Sequence, residues 1–193
     1  PQSDIVSPSD LGGAKALPPE LGMDEDTAKA DGNAVHLLLE HLPEHPKESW
    51  QDVSGRLLAA LVLDDGLQSS ALDEARQVLG NTALADLFHP DTLAEVAITA
   101  PLPFGRIHGV IDRLIVSDTS VTAVDFKTNR ATPNRPQDTP AGLLFQMGAY
   151  AAALRQIYPK YDIRTEILWT ATGHRMALSD TLITKALESP DLP

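Results

Sequence analysis

The sequence predicts a mixed α/β fold, a central sheet carrying an antiparallel hairpin and flanked by helices. Two stretches of alternating, β-branched residues within 105–130 are joined by a short polar turn. Apolar residues at helical spacing fill residues 27–42 upstream and 141–158 downstream. Two further β-branched runs, 93–99 and 163–170, supply more strands.

The hairpin organises the rest. By alternation Val110, Asp112, Leu114 and Val116 share a face of its first strand, and Val121, Ala123, Asp125 and Lys127 share one of its second. Each strand thus turns a carboxylate to the side of aliphatic residues suited to a core, which requires something to neutralise the charge. A two-residue turn at Asp118 and Thr119 sets Asp112 opposite Asp125. Bare carboxylates that close repel, and a hard divalent cation resolves the repulsion by drawing oxygen from both. Lys127 then projects beside that cation, where an ammonium can meet a phosphate oxygen or a water. The alternative is a surface hairpin with a solvated Asp–Lys pair.

In chain order, residues 1–25 are rich in Pro, Gly, Ser and Asp and read as an extended lead-in. The start at Pro1 without Met predicts a piece cut from something larger. A single domain follows over 26–188, with a helical part at 26–88, a sheet core at 93–178 and a frayed tail at 189–193. In the first helix Val35, Leu38, Leu39 and Leu42 form the apolar face and Pro43 closes it. Gly32, costing about 1 kcal/mol against Ala at mid-helix, marks a close approach by another backbone. His36 at the edge of that face is either a partly buried helical histidine or a metal ligand carried over the hairpin.

Two or three short helices occupy 48–88 and offer no chemistry. The strand at 93–99 carries Glu95, either near the metal or a carboxylate at the edge or one layer behind it, and Pro101 and Pro103 break the chain before Gly105. His108 is expected to face solvent. The loop at 128–140 holds Arg130 and Arg135, either solvated or in contact with phosphates. On the amphipathic helix 141–158, Leu143, Leu144, Met147, Ala151 and Leu154 face inward. Gln146 and Tyr150, four apart, share a side and are either merely polar or directed at a nucleotide or the lysine.

Taken together, Gly32-x-x-x-His36, Gly109-x-Ile-Asp112, Asp125-Phe126-Lys127-Thr128 and Gln146-x-x-x-Tyr150 resemble, in order and spacing, the motifs of the RecB-family nucleases of the PD-(D/E)XK superfamily. Residues 8–15 and 124–130 are most similar to the C-terminal nuclease domain of AddA-type helicase–nuclease subunits. The resemblance implies a restriction-endonuclease-like core. It implies magnesium, with manganese able to substitute, bound by His36, Asp112, Asp125 and the backbone carbonyl of Phe126. Lys127 would orient or help deprotonate the attacking water, with Asp112 and Asp125 as its catalytic partners. Gln146 and Tyr150 would support the substrate strand or the lysine, and Arg130 the substrate. The implied partners are a single DNA strand from an unwound duplex, helicase domains in the same longer chain, and an AddB-like subunit. The implied reaction is hydrolysis of phosphodiester bonds in DNA during double-strand-break repair.

Composition constrains this reading. Among 193 residues the formal net charge is −12, the wrong sign for autonomous DNA binding, so a basic channel elsewhere must deliver the strand. The same charge suits an acidic protein-interaction module. A further alternative is an inactive nuclease-fold scaffold that guides DNA, which predicts loss of an acidic ligand or of the lysine where this sequence keeps both. With no cysteine the chain cannot hold the iron–sulfur cluster that some relatives in the superfamily carry. No run is apolar and long enough to predict a membrane span, and a reducing cytoplasm is the expected compartment.

Overall fold

In chain order the computed structural model has a short strand β1 (Ile5–Val6), helices α1 (Glu25–His41), α2 (Trp50–Leu58) and α3 (Asp65–Gly80), and strands β2 (Leu93–Leu102), β3 (Gly105–Val116) and β4 (Ser120–Lys127). Helix α4 (Ala141–Ile157), strands β5 (Asp162–Trp169) and β6 (His174–Leu178) and helix α5 (Asp180–Glu188) complete it. The structure describes residues 5–7, 25–61 and 63–188. Most of the expected lead-in, including the 8–15 wording, and the expected tail lie outside the described residues.

The sheet is mixed, and β3, one strand in from the β2 edge, pairs with three other strands. Along one edge β3 pairs antiparallel with β2, from Leu93↔Leu114 to Leu102↔Gly105. Its other edge is shared. Strand β1 lies parallel to Arg106 and Ile107, and β4 runs antiparallel to Arg113–Val116. Strand β5 then pairs parallel with β4, and β6 antiparallel with β5. Between β1 and β4 the edge of β3 is left to side chains, and this opening becomes the site. Pro101 lies inside β2 instead of breaking the chain before it. Edge strands tolerate proline because the missing N–H has no ladder to complete.

One core lies on each face of the sheet. Helices α4 and α5 cover Ile107, Ile111, Leu114, Val121, Ala123 and Ile167. Helices α1 to α3 cover Val124, Phe126 and Leu168. Helix α4 is buried nearly all round, not on one stripe as its sequence suggested, because α5 packs on its outer side. A Cβ at Gly148 would lie 2.7 Å from the Ile183 carbonyl oxygen, so only glycine admits the α5 backbone there.

The hairpin keeps the expected register. Asp118 and Thr119 form the two-residue turn, with Ser117 donating its backbone N–H to the Ser120 carbonyl at 2.9 Å. The pairs run from Val116↔Val121 to Arg113↔Val124, and the next step sets Asp112 against Asp125. The expected faces of β3 are partly wrong. Val110 and Val116 are 40% and 39% exposed, whereas Ile107, Ile111 and Leu114 are in the core. Ile111 and Leu114 are three apart, so the strand reverses its buried side at Asp112–Arg113. Across from Asp112 on β2, Glu95 has φ +49° and the ladder skips that pair. A left-handed backbone turn in a non-glycine residue is strained, and here it kinks both strands at one place.

Candidate active site

Where β4 leaves β3, the Asp112 carboxylate takes over the ladder. Its Oδ2 accepts the Phe126 backbone N–H at 2.5 Å, so the side chain fills the fork that the departing strand opens. Residues in a strand send N–H and C=O to the same edge, and successive residues alternate. The Lys127 carbonyl accepts the Thr170 N–H at 2.9 Å and the Thr170 hydroxyl at 3.1 Å, on the β5 side. The Phe126 carbonyl, one residue earlier, therefore points into the fork with its own N–H.

Helix α1 brings His36 over this fork, its Nδ1 3.3 Å from Asp112 Oδ1. A stack of rings holds it there. The His36 imidazole meets Phe126 edge-on at 5.8 Å, Phe126 packs on Phe88 at 6.0 Å, and the Arg113 guanidinium lies 5.1 Å from the Phe88 ring. Arg113 Nη2 also donates to the Leu39 carbonyl at 2.9 Å, fixing α1 to β3 one turn below His36. The approach at Gly32 comes from a side chain, not the expected backbone. A Cβ there would sit 3.1 Å from Thr128 Oγ1.

From the α4 side, Gln146 Nε2 donates to Asp125 Oδ1 at 2.9 Å, and Lys127 Nζ lies 2.6 Å from Asp125 Oδ2. The Tyr150 hydroxyl donates to the Val110 carbonyl at 2.8 Å and lies 3.3 Å from Gln146 Nε2. Gln146 and Tyr150 are both buried, with their polar atoms turned to Asp125 and the Val110 carbonyl. They act as braces, one for Asp125 and one for β3. A Cβ on Gly109 would come within 2.8 Å of Tyr150 Cε1. Gly109→Ala is therefore expected to destabilise the chain by about 1–3 kcal/mol, read as a lowered unfolding temperature.

Arg130, expected at a phosphate, lies by Glu74 of α3. Burial pushes the Glu74 carboxyl up, while Thr170 and the Arg130 guanidinium hold it back. Arg135 is bound at 2.9 Å through both Nε and Nη2 to Asp138, on the exposed surface. His108 is exposed as expected, 2.9 Å from Thr99 Oγ1.

For Glu95 the structure favours the nearer of the two positions the sequence left open. Its carboxylate, Asp112 and His36 each offer an atom within 4.8 Å of the others. Alternation along β2 gave no hint of this, because the kink at Glu95 itself directs the side chain. Thr170, buried at the end of β5, was missed; a threonine after an apolar run was its only signal.

The electrostatics of the site separate the two aspartates. Burial pushes Asp112 up, but His36, Lys127 and the Phe126 N–H more than offset it, leaving the carboxyl below its usual range. Burial also pushes Asp125 up, and with Asp112 nearby it stays high despite Lys127. His36 is pulled down by burial and lifted further by Asp112, so it ends above its usual value. Lys127 likewise overcomes burial through Asp125 and Asp112 and remains an ammonium. It is thus equipped to orient and to stabilise negative charge more than to take a proton.

The donor chemistry fits a divalent cation. An imidazole and two carboxylates converge, a third carboxylate adjoins them, and a backbone carbonyl points in. Among the described residues no helix is long and apolar enough to cross a membrane.

Two curated relatives match parts of the chain. An ATP-dependent helicase/nuclease subunit of Oenococcus oeni is 31% identical over 70 residues, 36% of this chain and 6% of that protein. The CRISPR-associated exonuclease Cas4 of Francisella tularensis subsp. novicida is 27% identical over 84 residues, 44% of this chain and 40% of that protein. Both matches span less than half of the relative's length. The crystal structure of SSO0001 overlaps 97% of this chain and 75% of its own, with TM-score 0.40 and 12% identity. The family description that matches residues 12–186 covers both faces of the sheet and every residue of the fork, and by it the chain belongs to the PD-(D/E)XK nuclease superfamily.

Proposed function

We propose that this chain is the metal-dependent deoxyribonuclease domain of a helicase–nuclease, hydrolysing the phosphodiester bonds of a single DNA strand delivered by a motor. The observation that carries the reading is the convergence of His36, Glu95 and Asp112 within 4.8 Å, beside the Lys127–Asp125 pair. The similarity to a helicase/nuclease subunit favours the helicase setting. In that setting the motor domains of a longer chain and an AddB-like subunit bring the strand, in the cytoplasm, and the net charge of −12 explains why delivery is needed. Residues 26–188 form the nuclease domain in this reading.

His36, Glu95, Asp112, Asp125 and the Phe126 carbonyl would hold magnesium, or manganese, for which an imidazole is a better partner. Once bound, such a cation polarises a phosphate oxygen and makes water a stronger acid. The chain's own residues do the rest. Asp112 fixes the fork through Phe126, and Gln146 aims Asp125. Asp125 keeps the Lys127 ammonium at the fork, where negative charge accumulates as the phosphorus–oxygen bond breaks. Thr170 anchors the lysine's backbone.

Metal titration followed by calorimetry tests the reading. The raised Asp125 and His36 must be free of protons for a cation to bind, so manganese affinity is expected to climb as pH rises through and above the ordinary histidine value of about 6.5. End-labelled single strands should be cleaved only with metal present. Absence of any manganese binding at the higher pH would reject the assignment, leaving an inactive DNA-guiding scaffold.

A further inference from the structure

Beyond the fork the β2–β3 ribbon continues, and among the described residues only one of its faces is covered. Ile98, Ile107 and Ile111 are buried in the α4-side core. Ala97, Thr99, Pro101, Arg106, His108 and Val110 all lie exposed on the other face. The register sorts those six into cross-strand pairs, Ala97↔Val110, Thr99↔His108 and Pro101↔Arg106. The next pair inward in the same register is Glu95 with Asp112. The bare face is therefore a floor that starts at the fork and runs outward for about 20 Å.

We infer that this floor is the track along which a single DNA strand lies as it reaches the fork. The inference rests on the nuclease reading and extends it to how the strand is held. The floor is two strands wide, with strands about 4.8 Å apart, which suits one extended backbone. Its chemistry changes along its length in the order a strand needs. Next to the acidic cluster the pair is apolar, with Val110 40% exposed, so a base can rest there without adding charge. Beyond it lies the Thr99–His108 hydrogen-bonded pair. At the outer end Arg106 presents its guanidinium, and among the described residues it has no hydrogen bond or ion pair through its side chain. In a chain of net charge −12, an arginine in line with the fork and without a side-chain partner among the described residues matches a phosphate.

The test measures binding apart from hydrolysis. Because the net charge leaves autonomous binding weak, fluorescence anisotropy of a labelled oligothymidylate is followed in EDTA at low salt and high chain concentration. It is read for the chain, for Arg106→Glu and for Thr99→Lys, after circular dichroism shows that both variants fold, and no binding by any of the three overturns the track. Arg106→Glu is expected to weaken binding about tenfold and to flatten the salt dependence by about one ion, while Thr99→Lys tightens it severalfold. Unchanged affinity in both variants overturns the track and hands the face to a protein partner, such as a neighbouring domain. Because no metal is present, that result leaves the nuclease reading standing, and loss of metal-dependent cleavage alone leaves the track standing.

Discussion

Asp112→Asn is expected to lower metal-dependent DNA cleavage by at least about a thousandfold while leaving the chain folded. The separation follows from the two jobs of the carboxylate. Oδ2 accepts the Phe126 N–H that closes the fork, and an amide oxygen can accept the same bond. Oδ1 faces His36, and together with Glu95 it forms the convergent donor group, which an amide weakens by removing a charge. Manganese at a hundred times its dissociation constant should stabilise the unsubstituted chain by about 2.7 kcal/mol and the variant hardly at all. His36 supplies an independent reading. Burial pulls it down and Asp112 lifts it, so in the variant the burial remains and the lift is gone. Its titration, followed by NMR in metal-free buffer, should move below the ordinary histidine value. A variant that keeps both manganese stabilisation and cleavage would remove Asp112 from the site.

What could be read from the sequence was whatever depends on counting along the chain. The register of the hairpin needed only the length of the turn, and the structure keeps it as far as Arg113↔Val124, one step short of Asp112 and Asp125. Helix α1 ends where Pro43 demanded, with a short 3-10 turn from Leu42 carrying the proline. The failures arise where one strand's backbone depends on another's. Val110 was assigned to the core because alternation was carried straight through Asp112, yet the strand changes face there. The kink shows as the left-handed backbone of Glu95, on the neighbouring strand, and no local pattern at Val110 encodes it. The same kink brings Glu95 into the cluster, so one unforeseen conformation accounts for both outcomes. Helix α4 failed for a similar reason, since its outer side is covered by α5 from the far end of the chain.

Replacing Lys127 by Met should abolish cleavage and also destabilise the fold, and the second effect shows which charge the lysine serves. The Lys127 and Asp125 side chains are only 14% and 4% exposed and lie 2.6 Å apart. Removing one member of a buried pair strands the other, at a cost of about 3–5 kcal/mol. Asp125 can escape by taking a proton. Burial, with Asp112 beside it, already raises Asp125, and losing the ammonium raises it further. A carboxyl raised in the folded state binds more protons there than in the unfolded chain. Its stabilising contribution is complete below the unfolded value of about 3.9 and is lost as pH climbs through the folded value. Relative to the unsubstituted chain, Lys127→Met should therefore be least stable at neutral pH and recover on acidification. Adding Asp125→Asn removes the stranded charge, so the double variant should regain most of the lost stability at neutral pH, lose this pH dependence, and stay inactive. Urea unfolding in EDTA at several pH values measures the stabilities and their pH dependence. If Lys127→Met were as stable as the unsubstituted chain at neutral pH, the ammonium would not be what keeps Asp125 ionised. The lysine would then serve the transition state alone.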